Sequence, residues 1–175
     1  MKKILRPILV HSVWLIIIAQ YILAFFVYNL PGRAPLQVVG WGVWVLSLLF
    51  GIAPIFILGR RGGVPKGKSY VDTTRLVDTS LYAVVRHPQY LSGILFSVAL
   101  MLMAQHWLVI LLGLISATIM YFDIQSADRE GIAQFGDEYR AYMRRVPQIN
   151  IPLGVYRLMR KRSTRADQSD PEGTG

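Results

Sequence analysis

In the stretch Val84-Val85-Arg86-His87-Pro88-Gln89-Tyr90 a guanidinium, an imidazole and a helix-breaking proline stand side by side, with apolar sequence on both sides. Each residue type brings a definite chemistry. Proline suits the first position of a helix, where its missing N–H has no intrahelical partner to lose, and it pushes the preceding residue toward extended geometry. His87 is therefore predicted to be a break point, with Pro88 starting a helix body. The free N–H groups and partial positive charge of such a helix start, with Arg86 and His87 beside it, make a place to hold a carboxylate or phosphate. If the preceding turn is also helical, Tyr82, Arg86 and Tyr90 fall at i, i+4 and i+8 on one face. The competing use of an Arg-His pair at a helix end is structural: the arginine reaches for lipid headgroups while its stem stays in apolar surroundings.

The elements around this stretch read as membrane helices. Residues 7–30 are nearly all apolar, and residues 35–58 contain no ionisable group. Each exceeds the roughly 20 helical residues that cross a hydrocarbon core. The turn between them, NLPGRAP, is short and rich in breakers, which predicts a helical hairpin. From Pro88 to Phe122 the one acidic or basic residue is His106. That run is too long for one span and is interrupted by AQHW, so it divides into helices at roughly 81–104 and 107–126, with His106 and Trp107 at the water boundary. Residues 59–80 are rich in glycine, charge and hydroxyls and read as a cytoplasmic loop. Residues 126–146 read as an amphipathic helix. Asp128, Ile132, Phe135, Tyr139, Tyr142 and Met143 share one face, Arg129, Arg140 and Arg144 form a basic stripe beside it, and Gly136 is a candidate break. The fold class is thus all-α: a polytopic membrane protein of four transmembrane helices with a cytoplasmic C-terminal amphipathic helix. Residues 1–160 form one domain, and the polar tail 161–175 is expected to be disordered.

Of the 175 residues 53% are hydrophobic and 17% charged, with a net charge of +9 and no cysteine. Disulfides, thiolate metal sites and cysteine lipidation are excluded, and no metal site is expected. The N-terminal Met-Lys-Lys before an apolar run has the look of a secretory signal, but the run is too long and no small-residue cleavage site follows. With the N-terminus in the cytoplasm, four spans return the C-terminus there, and all 19 Lys and Arg except Arg33 lie inside. The positive-inside rule then predicts a multi-pass cell or internal membrane protein with both termini cytoplasmic. The basic charge reads as topology and contact with anionic lipid, not as a nucleic-acid surface.

An ordered set of motifs runs through the C-terminal half: Leu76-Val77, Tyr82, Arg86-His87-Pro88-x-Tyr90, a further span, Phe135-Gly136-x-x-Tyr139 and Arg145-Val146-Pro147. This set resembles the integral-membrane methyltransferases that include isoprenylcysteine carboxyl methyltransferase and the phospholipid N-methyltransferases. The resemblance implies S-adenosylmethionine as cofactor, in a pocket open to the cytosol, and a lipid or lipidated acceptor entering from the bilayer. No glycine-rich strand-to-helix turn is present, so a doubly wound nucleotide fold is not expected. Carried over by position, Leu76, Val77, Tyr82, His87, Tyr90 and Asp128 contact the cofactor, and Arg86 with the Pro88 helix start suits its carboxylate. Aromatic rings also attract a sulfonium cation. Asp128, Glu130 and Arg86 are the candidate catalytic residues; an amine acceptor must be neutral, and Asp128 or Glu130 could take its proton.

The chain departs from the family pattern at four positions. Ala127 and Asp128 stand where two adjacent glutamates are usual, Asp123 where the carboxyl methyltransferases carry a basic residue, and Ser80 where a glycine is common. The acceptor class is left open between a prenylcysteine carboxylate, an aminophospholipid and another small lipophilic nucleophile. A non-catalytic lipid-binding or scaffold protein of the same fold is the alternative.

Overall fold

The computed structural model describes residues 2–28 and 33–169. It is all-α, with no strand among the described residues. The order is α1 (Lys2–Val27), α2 (Ala34–Arg61), a short 3-10 turn (Ser80–Ala83), α3 (Pro88–Ala104), α4 (Trp107–Arg145) and α5 (Ile151–Ser169). Two compact units result, Met1–Pro54 with Gln89–Glu130, and Ile55–Pro88 with Gly131–Gly175.

In the first unit α3 is the inner helix, for none of its residues is exposed. The other helices turn large apolar side chains outward, among them Phe25 and Phe26 of α1, Val38 and Val45 of α2, and Leu114 and Phe122 of α4. An apolar exterior of this extent marks a surface for lipid or another apolar partner. Inside, Ala24, Leu100, Ala104 and Val109 form one cluster, and Val13, Ile17 and Met120 another. Polar groups stitch the helices together. Gln20, fully buried, donates from Nε2 to the carbonyls of Ser97 at 3.0 Å and Val109 at 3.2 Å. The Ser97 and Ser116 hydroxyls meet at 3.0 Å, and Ser92 Oγ donates to the Ser47 carbonyl at 2.7 Å. Where lipid removes the hydrophobic drive between helices, small residues and interhelical hydrogen bonds of this kind hold them together.

α3 stops where Gln105 takes a positive φ of 48°. The side-chain amide of Gln105 then exchanges two 2.9 Å hydrogen bonds with the Arg33 backbone, which ties the α3–α4 turn to the start of α2. Residues 29–32 of the predicted hairpin turn lie outside the described residues. Two helices, α2 and α4, are long and apolar enough to cross a membrane; Ser12–Val27 and Pro88–Ala104 are shorter apolar helices.

In the second unit the loop after α2 is fastened at both ends. Arg61 Nη1 donates to Thr79 Oγ1 at 2.8 Å and Ser80 Oγ at 3.0 Å, and Gln134 Nε2 donates to the Thr73 carbonyl at 2.6 Å. Tyr139, Tyr142 and Val146 form the core, with Leu76, Ile132, Phe135 and Met143 packed against it. The predicted shared face of these residues is therefore the packed one.

Two expectations need correction. The third helix was expected from about residue 81 but begins at Pro88, because the residue before a proline is driven out of the helical region and the chain finds other partners there. The boundary expected near residue 126 is absent: residues 125–130 contain no glycine or proline, and α4 runs on to Arg145, interrupted by Gly136 alone (φ 58°, ψ −129°). After this, α5 runs from Ile151 to Ser169.

Candidate functional site

The backbone around the Arg-His pair is fixed by long-range bonds within the second unit. The Arg86 N–H donates to the Pro147 carbonyl at 2.9 Å and the His87 N–H to the Gln148 carbonyl at 3.1 Å. Residues 84–87 are thus non-helical, and Tyr82, Arg86 and Tyr90 do not share a helix face. The side chain of Arg86, 8% exposed, reinforces the same joint. Its Nη1 donates to the Met143 carbonyl at 2.8 Å and the Val146 carbonyl at 2.9 Å, satisfying acceptors that the end of α4 leaves open. Sequence suggested this guanidinium for gripping a carboxylate; the structure commits Nη1 to the chain itself.

Tyr142 adds a third link. Its hydroxyl donates to the Tyr82 carbonyl at 2.6 Å. Burial holds the phenol of Tyr142 well above its usual range, and the neighbouring Tyr139 and Tyr82 push the same way. The phenol of Tyr82 is raised likewise, by burial first and Tyr70 second. Both rings are therefore neutral at physiological pH. Val77 and Pro88 are buried, Leu76 packs on the Tyr139–Tyr142 core, and His87 is half-buried at the entry to α3. On the far side, Gly154 of α5 comes so near that a Cβ there would collide with the Val84 carbonyl oxygen. The result is a half-buried imidazole on a backbone pinned from two directions.

The first unit carries the remaining candidates. Tyr90 donates its hydroxyl to Asp123 Oδ2 at 2.7 Å. Asp128 on α4 is 4% exposed, whereas Glu130, two residues on, is exposed. The helical twist separates them as the spacing requires. Ala127 is half-buried.

Sequence reasoning missed four partners. Asp123 stood out as a departure from a pattern, not as the acceptor for Tyr90. Tyr142 was assigned to a face without its role as a donor to Tyr82. Pro147 and Gln148 carry no side-chain signal for pairing with Arg86 and His87, because the bonds use backbone carbonyls.

Comparison with known proteins adds one finding. The family model described as phospholipid methyltransferase matches residues 36–134. No curated protein and no solved structure matches the chain.

Proposed function

The chain belongs to the phospholipid methyltransferase family, and on that premise we propose that it transfers a methyl group from S-adenosylmethionine to a lipophilic acceptor at the cytoplasmic face of a membrane it crosses four times. Residues 1–160 act as the catalytic domain. The observation that carries this reading is the joint itself: the Arg86-His87 segment and the Arg145-Val146-Pro147 segment, distant in sequence, are bound by three hydrogen bonds to the carbonyls of Val146, Pro147 and Gln148.

The donor set suits the cofactor. S-adenosylmethionine combines a carboxylate with cationic ammonium and sulfonium groups, and supplies an electrophilic methyl when bound. The α3 start at Pro88 with His87 offers N–H donors and partial positive charge to a carboxylate. In the first unit the buried carboxylate of Asp128 suits a cation and the ring of Tyr90 an onium group; in the second, the ring of Tyr82 suits a sulfonium. Val77 and Leu76 give the apolar wall. Arg86 acts as a positioning residue, holding His87 and the end of α4 in register.

Methyl transfer from a sulfonium is an in-line displacement, so the protein's task is placement and exclusion of water. A carboxylate acceptor arrives ionised and needs no base. An amine acceptor must be neutral, and buried Asp128, not exposed Glu130, is the residue to take its proton. The acidic Asp123, engaged by Tyr90, disfavours an anionic acceptor beside it.

Titration calorimetry of the detergent-purified chain with S-adenosylmethionine tests the proposal. His87→Ala and Tyr90→Ala abolish binding while the protein still inserts and purifies. Asp128→Asn cuts turnover severely and Glu130→Gln mildly. Methyl-labelled cofactor incubated with a total lipid extract identifies the acceptor as the labelled lipid. Parent-like affinity in both His87→Ala and Tyr90→Ala would overturn the assignment.

A further inference from the structure

A cleft lies in the second unit between the last turn of α4 and α5, with a volume of about 520 Å³. Arg144, Arg145, Arg157, Arg160 and Lys161 line it, against a single acid, Asp78. Asp78 sits 3.4 Å from Arg145 Nη2, so the cleft carries a large surplus of positive charge. Arg157 Nη1 reaches the Arg144 carbonyl at 3.5 Å, which links α5 to the end of α4 across the cleft. None of the residues assigned to the methyl-transfer site from Leu76 to Tyr90, nor Asp128, lines it.

We propose that this cleft binds the phosphate of an anionic phospholipid headgroup, as a lipid site separate from the reaction site. Its size falls in the range of ligand pockets, roughly 300–1,000 Å³. Planar guanidinium forks grip phosphate oxygens in pairs, and four of the five cations are arginines. The membrane source is argued by the rest of α5. Val155, Tyr156 and Met159 are exposed by 40%, 61% and 63%, a stripe at i, i+1 and i+4 beside the basic stripe of Arg157, Arg160 and Lys161. A helix with an apolar stripe alongside a basic one lies in the headgroup layer, the first in the acyl boundary and the second among phosphates. A zwitterionic headgroup would bring its own ammonium into a site already crowded with cations, so a net-anionic lipid is selected. The proposal shares with the methyltransferase reading the membrane placement and the Arg145-Val146 segment, and it is read without cofactor.

The test is native mass spectrometry of the full chain in detergent, offered phosphatidylglycerol or phosphatidylcholine, with inorganic phosphate as competitor. Phosphatidylglycerol is expected to be retained at least tenfold more strongly. At about fivefold per basic residue, the triple variant Arg157→Gln, Arg160→Gln, Lys161→Gln loses roughly a hundredfold. A control lacking the exposed Lys66, Lys68 and Arg129 charges retains the lipid like the parent. Arg157→Lys with Arg160→Lys keeps the charge and falls between, because the forks are gone. Equal retention of the two lipids, or equal loss in triple variant and control, overturns the site. Displacement of the lipid by inorganic phosphate at matching concentration overturns the membrane source. Helicity and elution volume, unchanged in every variant, report the fold independently of any ligand.

Discussion

Ser80 shows what a single residue costs here. The family resemblance places a glycine at this position, and the backbone takes φ 56°, a region that side chains with a Cβ enter at roughly 1–2 kcal/mol. Ser80→Gly loses one exposed bond from Arg61, which keeps Thr79, and is expected to raise stability by about 1 kcal/mol. Denaturation in detergent micelles checks it, and a fall in stability would show that the hydroxyl matters more than the strain. Tyr142 gives a pH prediction. Its folded pKa lies above the unfolded value of roughly 10, so its contribution is complete below that value and fades as pH rises toward the folded one. Stability should hold through neutral pH and decline above about pH 10. Tyr142→Phe flattens that decline while costing about 1 kcal/mol for the lost bond to the Tyr82 carbonyl. At this scale residue types were legible but partners were not: Arg86 stands out as a cation beside a helix start, yet its binding to the end of α4 depends on carbonyls that have no letter in the sequence.

Among the elements, those marked by breakers were the ones the sequence revealed. Pro88 opens α3, the AQHW turn closes it, and Gly136 interrupts α4, each for a local reason that a reader of the chain can state. The extent of α5 and the pairing of residues 86 and 87 with 147 and 148 were hidden, because one is a polar helix docked through Gly154 and the other a backbone bond across a long separation. Gly136 makes the element-scale prediction. A Cβ there meets no atom within 4 Å, so any penalty is purely conformational. Its φ of 58° with ψ of −129° is a combination that only glycine adopts cheaply. Gly136→Ala is expected to lose about 1–3 kcal/mol and, by disturbing Tyr139 and Tyr142, to weaken cofactor binding as well. A variant that binds and melts like the parent would show that α4 can straighten without consequence. Gln105→Ala tests the opposite end: losing both bonds to Arg33 lowers the melting temperature in detergent but leaves cofactor affinity unchanged.

For the molecule as a whole, the bonds between Gln105 and Arg33 put the start of α2 beside the α3–α4 turn in the first unit. Single cysteines at positions 33 and 106, introduced into a chain that has none, should be labelled from outside intact cells, and one at position 66 should be protected. The reverse pattern would invert the proposed topology. The length of α3 has a further consequence. Its 17 residues rise about 25 Å, short of the roughly 30 Å of bilayer hydrocarbon. In the proposed topology, with Gln105 near the outer surface, the Pro88 end would stop at the depth of the upper acyl carbons, below the phosphates. A lipophilic acceptor would then present its head to His87 without being lifted out of the bilayer, and a thicker membrane would draw the two apart. Turnover should consequently fall as the acyl chains of the reconstituting lipid are lengthened, while affinity for the water-soluble methyl donor stays constant.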